Sequence, residues 1–375
     1  MFFSRREWSR KGIVIDTDGA LAGFLPKLEA ANVLAVDTEA DSLHAYPEKI
    51  CLIQISVGAE DYLIDPLAPL ELGPLWAKLK GQTLILHGAD YDLRMLRKNH
   101  GFVPARIFDT MLASRLLGDR EFGLASLLQK YLGVTLEKGS QKADWAKRPL
   151  TPRMEAYARN DTHHLAKLAG LLQGLLKEKG RLGWAEECCA QLIAECAIPS
   201  EPQPDLVWRV KGSHKLSRAA LAVLREVWQW REQEAILANK PPFFVLSHEA
   251  MVEISAAAVE QRPLETFLPR RFSNHRQEGL GRAIRAGLAC PPVEQPDYLR
   301  TKSQRQTEAE RRRFMALEER RNARAAELGI DPTLIASRAT MLALAHDWES
   351  ASADLMAWQK QILDSFGLPL PASHT

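Results

Sequence analysis

The strongest constraint on the fold lies early in the chain, where short β-rich runs succeed one another: "GIVIDT", "NVLAVDTE", "ICLIQISV", "EDYLIDP" and "TLILHG". Each is bounded by turn-forming residues, as strands are. Helical spacing of apolar residues appears in "LAPLELGPLWAKLK", "DYDLRMLRKNHG" and "FGLASLLQKYLG", the last two ending in glycine, a helix-stop signal. Strands first, then interleaved helices, predict an α/β domain on a mixed sheet. "RMEAYARNDTHHLAKLAGLLQGLLKEKG" reads as one longer amphipathic helix, also closed by glycine.

At "IPSEPQPD" three prolines fall in six residues, the composition of a linker. Beyond it the strand signal nearly disappears. "SRAALAVLREVWQWREQEAILANK" is helical, and "PPFFVLSHEAMVEISAAA" restarts after two prolines. A second junction, "CPPVEQPD", precedes "RRRFMALEERRNARAAELG", "IDPTLIASRATMLALA" and "SADLMAWQKQILDSFG". The two blocks share an order of parts: a long Arg- and Ala-bearing helix, a break, an apolar segment, another helix. This pattern predicts an internal duplication of a small helical domain. The expected domains are 1–200, 205–290 and 291–375.

Five cysteines form no CxxC pair and their number is odd, so a disulfide framework or a cysteine zinc site is not expected. The start, "MFFSRREWSRKG", has no apolar stretch of signal-peptide length, and no apolar run approaches a membrane span. A soluble, cytoplasmic protein with no membrane partner is expected. It should be a monomer, since no coiled-coil heptads or spare apolar stripe stand out. A net charge of +2 announces no global field for nucleic acid, so any such surface must be local.

In "LAVDTEADSL" an apolar strand stops and three acids stand at alternate positions, Asp37, Glu39 and Asp41. Alternate residues of a strand face the same way. "ILHGADYDLRML" places Asp90 and Asp92 where a strand gives way to a helix, and "YARND" places Tyr157 and Asp161 four apart on one helical face. Clustered carboxylates repel one another unless a cation sits among them. Oxygen-only ligands suit Mg²⁺ or Mn²⁺ rather than zinc. Two such ions can activate water and stabilise a leaving oxygen in phosphoryl transfer, and a tyrosine beside them can hold the water. Taken singly, each motif reads more readily as a solvated strand end or a surface helix face.

Their order is more specific. "VDTEADSLHAYPEKICLIQIS", "HGADYDLRML", "FDTMLASRLLG", "KADWAKRPL" and "YARNDTHHL" together resemble the ribonuclease D family of DEDD 3′–5′ exonucleases. The resemblance covers the whole first domain and implies a ribonuclease H-like fold. It makes Asp37, Glu39, Asp92 and Asp161 the ligands of two divalent metal ions. It makes Tyr157 the residue that orients the attacking water. The histidine subgroup carries its histidine where this chain has Ala156; His163 and His164 come after Asp161 and do not fit the role. Asp41 matches no ligand position and is expected to be solvated or hydrogen-bonded. Asp90 and Asp109 are expected to cap helices, and His87 to be structural. In "KADWAKRPL", Trp145 with Lys142 and Arg148 offers a stacking surface and phosphate contacts for single-stranded nucleic acid, or else Trp145 is a buried loop anchor.

"LAVLREVWQWREQEAILANKPPFFVLSHEAMVEIS" resembles the HRDC domain through Leu224, Trp230, Arg231, Ala235, Asn239, Pro241 and Pro242; "ARAAELGIDPTLIASRATMLALA" resembles a weaker second copy. Trp228 and Trp230 are expected in the core. Arg262, Arg270, Arg271, Arg276, Arg282, Arg285, Arg300, Lys302 and Arg305 form a local excess of base able to hold a phosphate backbone without reading bases. "QRQTEAERRRFMALEERRNARAAE" mixes both signs, as a solvated helix face does. The expected function is metal-dependent trimming of RNA, such as tRNA precursors with single-stranded 3′ ends, to nucleoside 5′-monophosphates. A Werner-type DNA exonuclease and a catalytically silent RNA-binding protein are the competing expectations.

Overall fold

The computed structural model describes residues 13–31, 33–136, 139–199, 203–269, 272–299 and 306–364. Arg270, Arg271, Arg300, Lys302 and Arg305, and the start "MFFSRREWSRKG", lie outside the described residues. The rest falls into two compact units. One holds the residues described within Met1–Glu39, Ile50–Ile198 and Gln304–Thr375; the other holds those within Ala40–Lys49 and Pro199–Ser303.

The first unit is built on a six-stranded mixed sheet of order β1-β4-β3-β2-β5-β6. Its strands are β1 Ile13–Ile15, β2 Val33–Ala40, β3 Ile50–Val57, β4 Glu60–Ile64, β5 Thr83–Leu86 and β6 Arg106–Asp109. Pairs β1–β4, β2–β5 and β5–β6 are parallel, whereas β3–β4 is antiparallel. β3 is buried along nearly its whole length, as befits an interior strand of mostly apolar residues, and it carries Gln54 and Ser56 into the interior with them. β1 lies at an edge, and Ile13 and Val14 are exposed there.

Helices α1 Asp18–Ala30, α2 Gly73–Lys80, α3 Asp90–His100, α4 Thr110–Leu117, α5 Leu124–Leu132, α6 Pro152–His163, α7 Leu165–Glu178 and α8 Leu182–Ala197 belong to the same unit. α3 and α5 end at Gly101 and Gly133, both in the left-handed conformation that glycine adopts without a Cβ penalty. The single long helix expected over residues 153–180 is instead two. It breaks at His164, which is both the C-cap of α6 and the N-cap residue of α7. The periodicity missed this because both pieces keep an apolar face.

The second unit contains α9 Arg218–Ala238, α10 Pro242–Val245, α11 His248–Val259 and α12 Asn274–Leu288. Trp228 and Trp230 pack against its core of Leu221, Leu224, Val227, Leu246, Met251 and Ile254. In the first unit, α13 Glu308–Leu328, α14 Pro332–Ile335, α15 Arg338–His346, α16 Trp348–Ser352 and α17 Ala357–Asp364 complete the chain. The two helical blocks correspond piece by piece. α9 and α13 are both 21 residues, with buried Leu224, Arg231 and Ala235 matched by buried Phe314, Arg321 and Ala325. Both end in a left-handed residue, Asn239 or Gly329, and a four-residue helix with proline at its start comes after each.

The later block shares one apolar core with α4, α5 and α7: Phe314, Leu317, Ile335 and Trp358 cluster with Leu116, Leu128, Leu168 and Leu172. Trp184 and Trp358 stack with ring centroids 4.8 Å apart. The Arg181 guanidinium donates to the Leu116 carbonyl at 2.8 Å and the Leu328 carbonyl at 2.7 Å, serving the C-terminal carbonyls of α4 and α13 together.

Candidate active site

Three elements bring the expected acids together. β2 ends its apolar run and presents Asp37 and Glu39 on the face that Thr38 does not share. α3 presents Asp92 in its first turn. α6 is started by Thr151, whose hydroxyl accepts from Met154 N, and by Pro152 at the first helical position. That start sets Tyr157 and Asp161 one turn apart. Asp37, Glu39 and Asp161 each bring a carboxylate oxygen within 4.8 Å of the others. Asp92 acts electrostatically on both Asp37 and Glu39. Its carboxylate is aimed by Thr38, which donates to the same oxygen from its backbone N at 3.1 Å and from its hydroxyl.

The cluster disfavours its own charge. Desolvation, then repulsion from Asp92, Asp161 and Glu39, holds Asp37 well above the usual carboxylate range. Desolvation with repulsion from Asp161 and Asp92 pushes Glu39 up to about 9. Desolvation likewise lifts Asp161 to about 7 and Asp92 to about 6. Tyr157 is raised too, by desolvation and then by Asp161, Glu39 and Asp37, so its phenol stays neutral. Such a set of hard oxygen donors fits divalent cations, whose charge would reverse every one of these shifts.

The Tyr157 ring is walled in. The Trp145 ring lies 6.0 Å away, centroid to centroid, and Gly139 leaves no room for a side chain: a Cβ there would sit 1.9 Å from Tyr157 Cδ2. Tyr157 hydrogen-bonds Asp161 through its side chain.

Two expected nucleic-acid contacts are corrected by burial and bonding. Trp145 is 1% exposed and clusters with Cys51, Leu63, Met154 and Ala158, so it is a core anchor and offers no stacking face. Arg148 spends its guanidinium on the chain itself. It pairs with both oxygens of Asp65, one at 2.7 Å, and donates to the carbonyls of Cys51 at 2.6 Å and Trp145 at 2.7 Å. Lys142 is exposed on the same loop.

The neighbouring acids separate as well. Asp41 is fully buried and accepts from Lys49 N at 2.8 Å and from Lys49 Nζ. Asp90 does not cap α3, whose N-cap is Ala89; it pairs with Arg94 one turn on. Asp109 does cap α4, accepting from Met111 N and Leu112 N, and it also accepts from Gly88 N and Ala89 N. It thereby holds the turn from which α3 departs. That second task, like Thr38's grip on Asp92, was missed in the sequence. Both residues stand at the ends of apolar strand runs, the available signal. His87 bonds the Thr110 hydroxyl at 2.9 Å, and His163 bonds Asp61 at 2.9 Å, so both have structural partners.

A mixed-sheet nuclease fold with four acids and a tyrosine converging at strand and helix ends defines a DEDD-type 3′–5′ exonuclease. Residues 13–177 match the 3′–5′ exonuclease domain family and residues 220–261 the HRDC domain family. A ribonuclease D of Pseudomonas paraeruginosa is 31% identical over 294 residues, 76% of this chain and 77% of that protein. A ribonuclease D of Gluconacetobacter diazotrophicus is 31% identical over 250 residues, 66% of this chain and 63% of that protein. The chain belongs to the ribonuclease D family. The fold also matches Escherichia coli RNase D, described as an exoribonuclease involved in structured RNA processing. The TM-score is 0.72 at 24% identity, over 96% of this chain and 100% of that one. Among the described residues, no helix is long and apolar enough to cross a membrane.

Proposed function

We propose that this exonuclease hydrolyses RNA from the 3′ end to nucleoside 5′-monophosphates, using two divalent ions, Mg²⁺ or Mn²⁺, held by Asp37, Glu39, Asp92 and Asp161. The observation that carries the reading is the convergence of β2, α3 and α6 on acids whose charged forms the protein alone disfavours. Ions held there would supply an activated water and would neutralise the leaving 3′ oxygen.

The chain's own residues prepare that chemistry. Thr38 fixes Asp92 as a ligand by two hydrogen bonds to one oxygen, leaving the other oxygen to a cation. Tyr157, neutral and packed between Gly139 and Trp145, holds the attacking water through its hydroxyl and does not take its proton. The Asp65–Arg148 pair pins the Trp145 loop and so backs that ring from behind. The names of the relatives and the HRDC match favour RNA, with tRNA precursors bearing unpaired 3′ ends as the substrate class.

The test uses 5′-labelled single-stranded RNA, single-stranded DNA and a 3′-extended tRNA, with Mg²⁺ or Mn²⁺ and with chelator. A descending ladder on RNA is expected, lost with chelator and lost in Asp161→Asn. Faster degradation of DNA would support a Werner-type enzyme instead. RNA binding with metal but no shortening would defeat the enzymatic proposal.

A further inference from the structure

Asp161 stands in the last turn of α6, which ends at His163. Helix ends fray, so a ligand placed there needs a hold from outside its own helix. Among the buried residues of α6 are Met154, Ala158 and Thr162, spaced four apart on one face. The first two are apolar and cluster with Leu52 and Leu63 of the sheet. The third, next to Asp161, carries a hydroxyl although it is 1% exposed.

That hydroxyl has a partner on the sheet. Ser56 of β3 is buried, and its hydroxyl bonds the Thr162 hydroxyl at 2.7 Å. Ser56 also donates to Asp61 Oδ1 at 2.7 Å. Asp61 of β4 lies directly across from Ser56 in the antiparallel ladder. Its carboxylate accepts from His163 Nδ1, with its two oxygens at 3.0 and 2.9 Å. One cross-strand pair thus grips Thr162 and His163, the residues that follow Asp161. Successive helix residues point about 100° apart, so the two grips fix the rotation of the helix end as well as its height over the sheet.

Cohesion alone does not call for these residue types. A buried hydroxyl pair has to be desolvated, and an apolar pair of similar volume would pack here without that cost. Hydrogen bonds add what apolar contact lacks, a preferred direction. Direction matters to Asp161, whose carboxylate oxygen has to meet a cation in concert with those of Asp37 and Glu39.

We propose that Ser56 and Thr162, with the Asp61–His163 pair, are positioning residues that clamp the end of α6 and keep the Asp161 carboxylate aimed at the metal ions. They act through Asp161 and are not themselves ligands. The inference rests on the reading of the acidic cluster as a metal site and deepens it.

The experiment measures the Mn²⁺ dissociation constant of the full-length chain by electron paramagnetic resonance, with no RNA present. The variants are Thr162→Val, Ser56→Ala, these two combined, and Thr162→Ser. All exchange one uncharged side chain for another, so the formal charge around the acids is unchanged. Thr162→Val and Ser56→Ala should each weaken Mn²⁺ binding about tenfold, the lower end of what loss of an outer hydrogen bond costs a metal site. The combined variant should also be about tenfold weaker and not about 100-fold, because either change alone already breaks the shared bond. Thr162→Ser keeps the hydroxyl and should bind within about threefold of the unmutated chain. Hydrolysis of labelled RNA gives a second readout: excess Mn²⁺ should restore kcat in the single variants, with KM for RNA unchanged. Melting in chelator shows whether each variant is folded; should Thr162→Val be unstable, Ser56→Ala and Thr162→Ser still decide. Mn²⁺ affinity within about twofold of the unmutated chain in both single variants would overturn the clamp and leave a packing role. So would additive losses in the combined variant, or Thr162→Ser binding no better than Thr162→Val. If the unmutated chain binds no Mn²⁺, or Asp161→Asn binds it equally well, the metal reading fails instead.

Discussion

Asp161→Asn should destroy activity and, without metal, make the protein more stable. Asp161 meets Asp37 and Glu39 with oxygens inside 4.8 Å. At an effective dielectric near 20, one fully ionised pair at that distance costs about 3 kcal/mol. Glu39, pushed up to about 9, stays largely protonated at pH 8, which removes part of the repulsion. The remaining gain from a neutral amide is about 1–3 kcal/mol, or an apparent melting temperature several degrees higher. The sign comes from linkage. Asp161 is raised to about 7 in the folded protein, whereas an unfolded aspartate titrates near 4. Between those values the folded chain holds a proton that the unfolded chain has released, so stability falls as pH rises. At pH 5, between the two values, the advantage of the amide should be clearly smaller than at pH 8, and it should vanish only below the unfolded value near 4. The assay is thermal melting in chelator at pH 5 and pH 8, repeated with Mg²⁺. With Mg²⁺ the order should invert, because the wild type gains binding energy that the variant gives up. A variant that melts below wild type at pH 8 in chelator, or with the same offset at both pH values, would refute the crowding argument.

If Tyr157 acts on the attacking water as proposed, Tyr157→Phe should lower kcat about 100-fold with little change in KM; steady-state kinetics on labelled RNA decides. Arg148→Ala should cost about 2–4 kcal/mol in urea unfolding, because it strands the Asp65 carboxylate and frees the Trp145 loop. A variant that instead keeps full stability and loses only RNA affinity would restore a phosphate-binding role. Asp41→Asn should keep most of the activity, since Lys49 occupies that carboxylate, at a stability cost of about 1 kcal/mol. An activity loss equal to that of Asp37→Asn would show that the two acids share one task.

Two local periods made part of the acidic cluster legible, while Asp92 and the roles assigned to the set came only through the family resemblance. Alternation in β2 sets Asp37 and Glu39 together, and one helical turn sets Tyr157 with Asp161. Asp41 continues the same alternation, yet its carboxylate turns to Lys49; nothing short of the returning chain could say so. Trp145 and Arg148 look like RNA contacts in sequence because composition is all that the loop offers. Their fate depends on Asp65 and Cys51, which are remote in the chain. The shared core of Leu168 with Phe314 and Trp358 was equally out of reach, since each helix carries an apolar face that any neighbour could cover.

Residues 40–49, which leave β2 directly after Glu39, group with the second unit and are tied to the end of α9: Tyr46 hydroxyl to Glu232, Tyr46 N to Asn239 at 3.2 Å, and Lys240 Nζ to His44 O. These partners lie 186 to 196 positions further along the chain. On the ribosome, at about 5–20 residues per second, the strand end bearing two of the catalytic acids waits roughly 10–40 s for the residues that fasten the loop leaving it. The nascent nuclease domain thus emerges with that loop closed on itself by Asp41 and Lys49 but without its ties to α9, which await synthesis of the helical module.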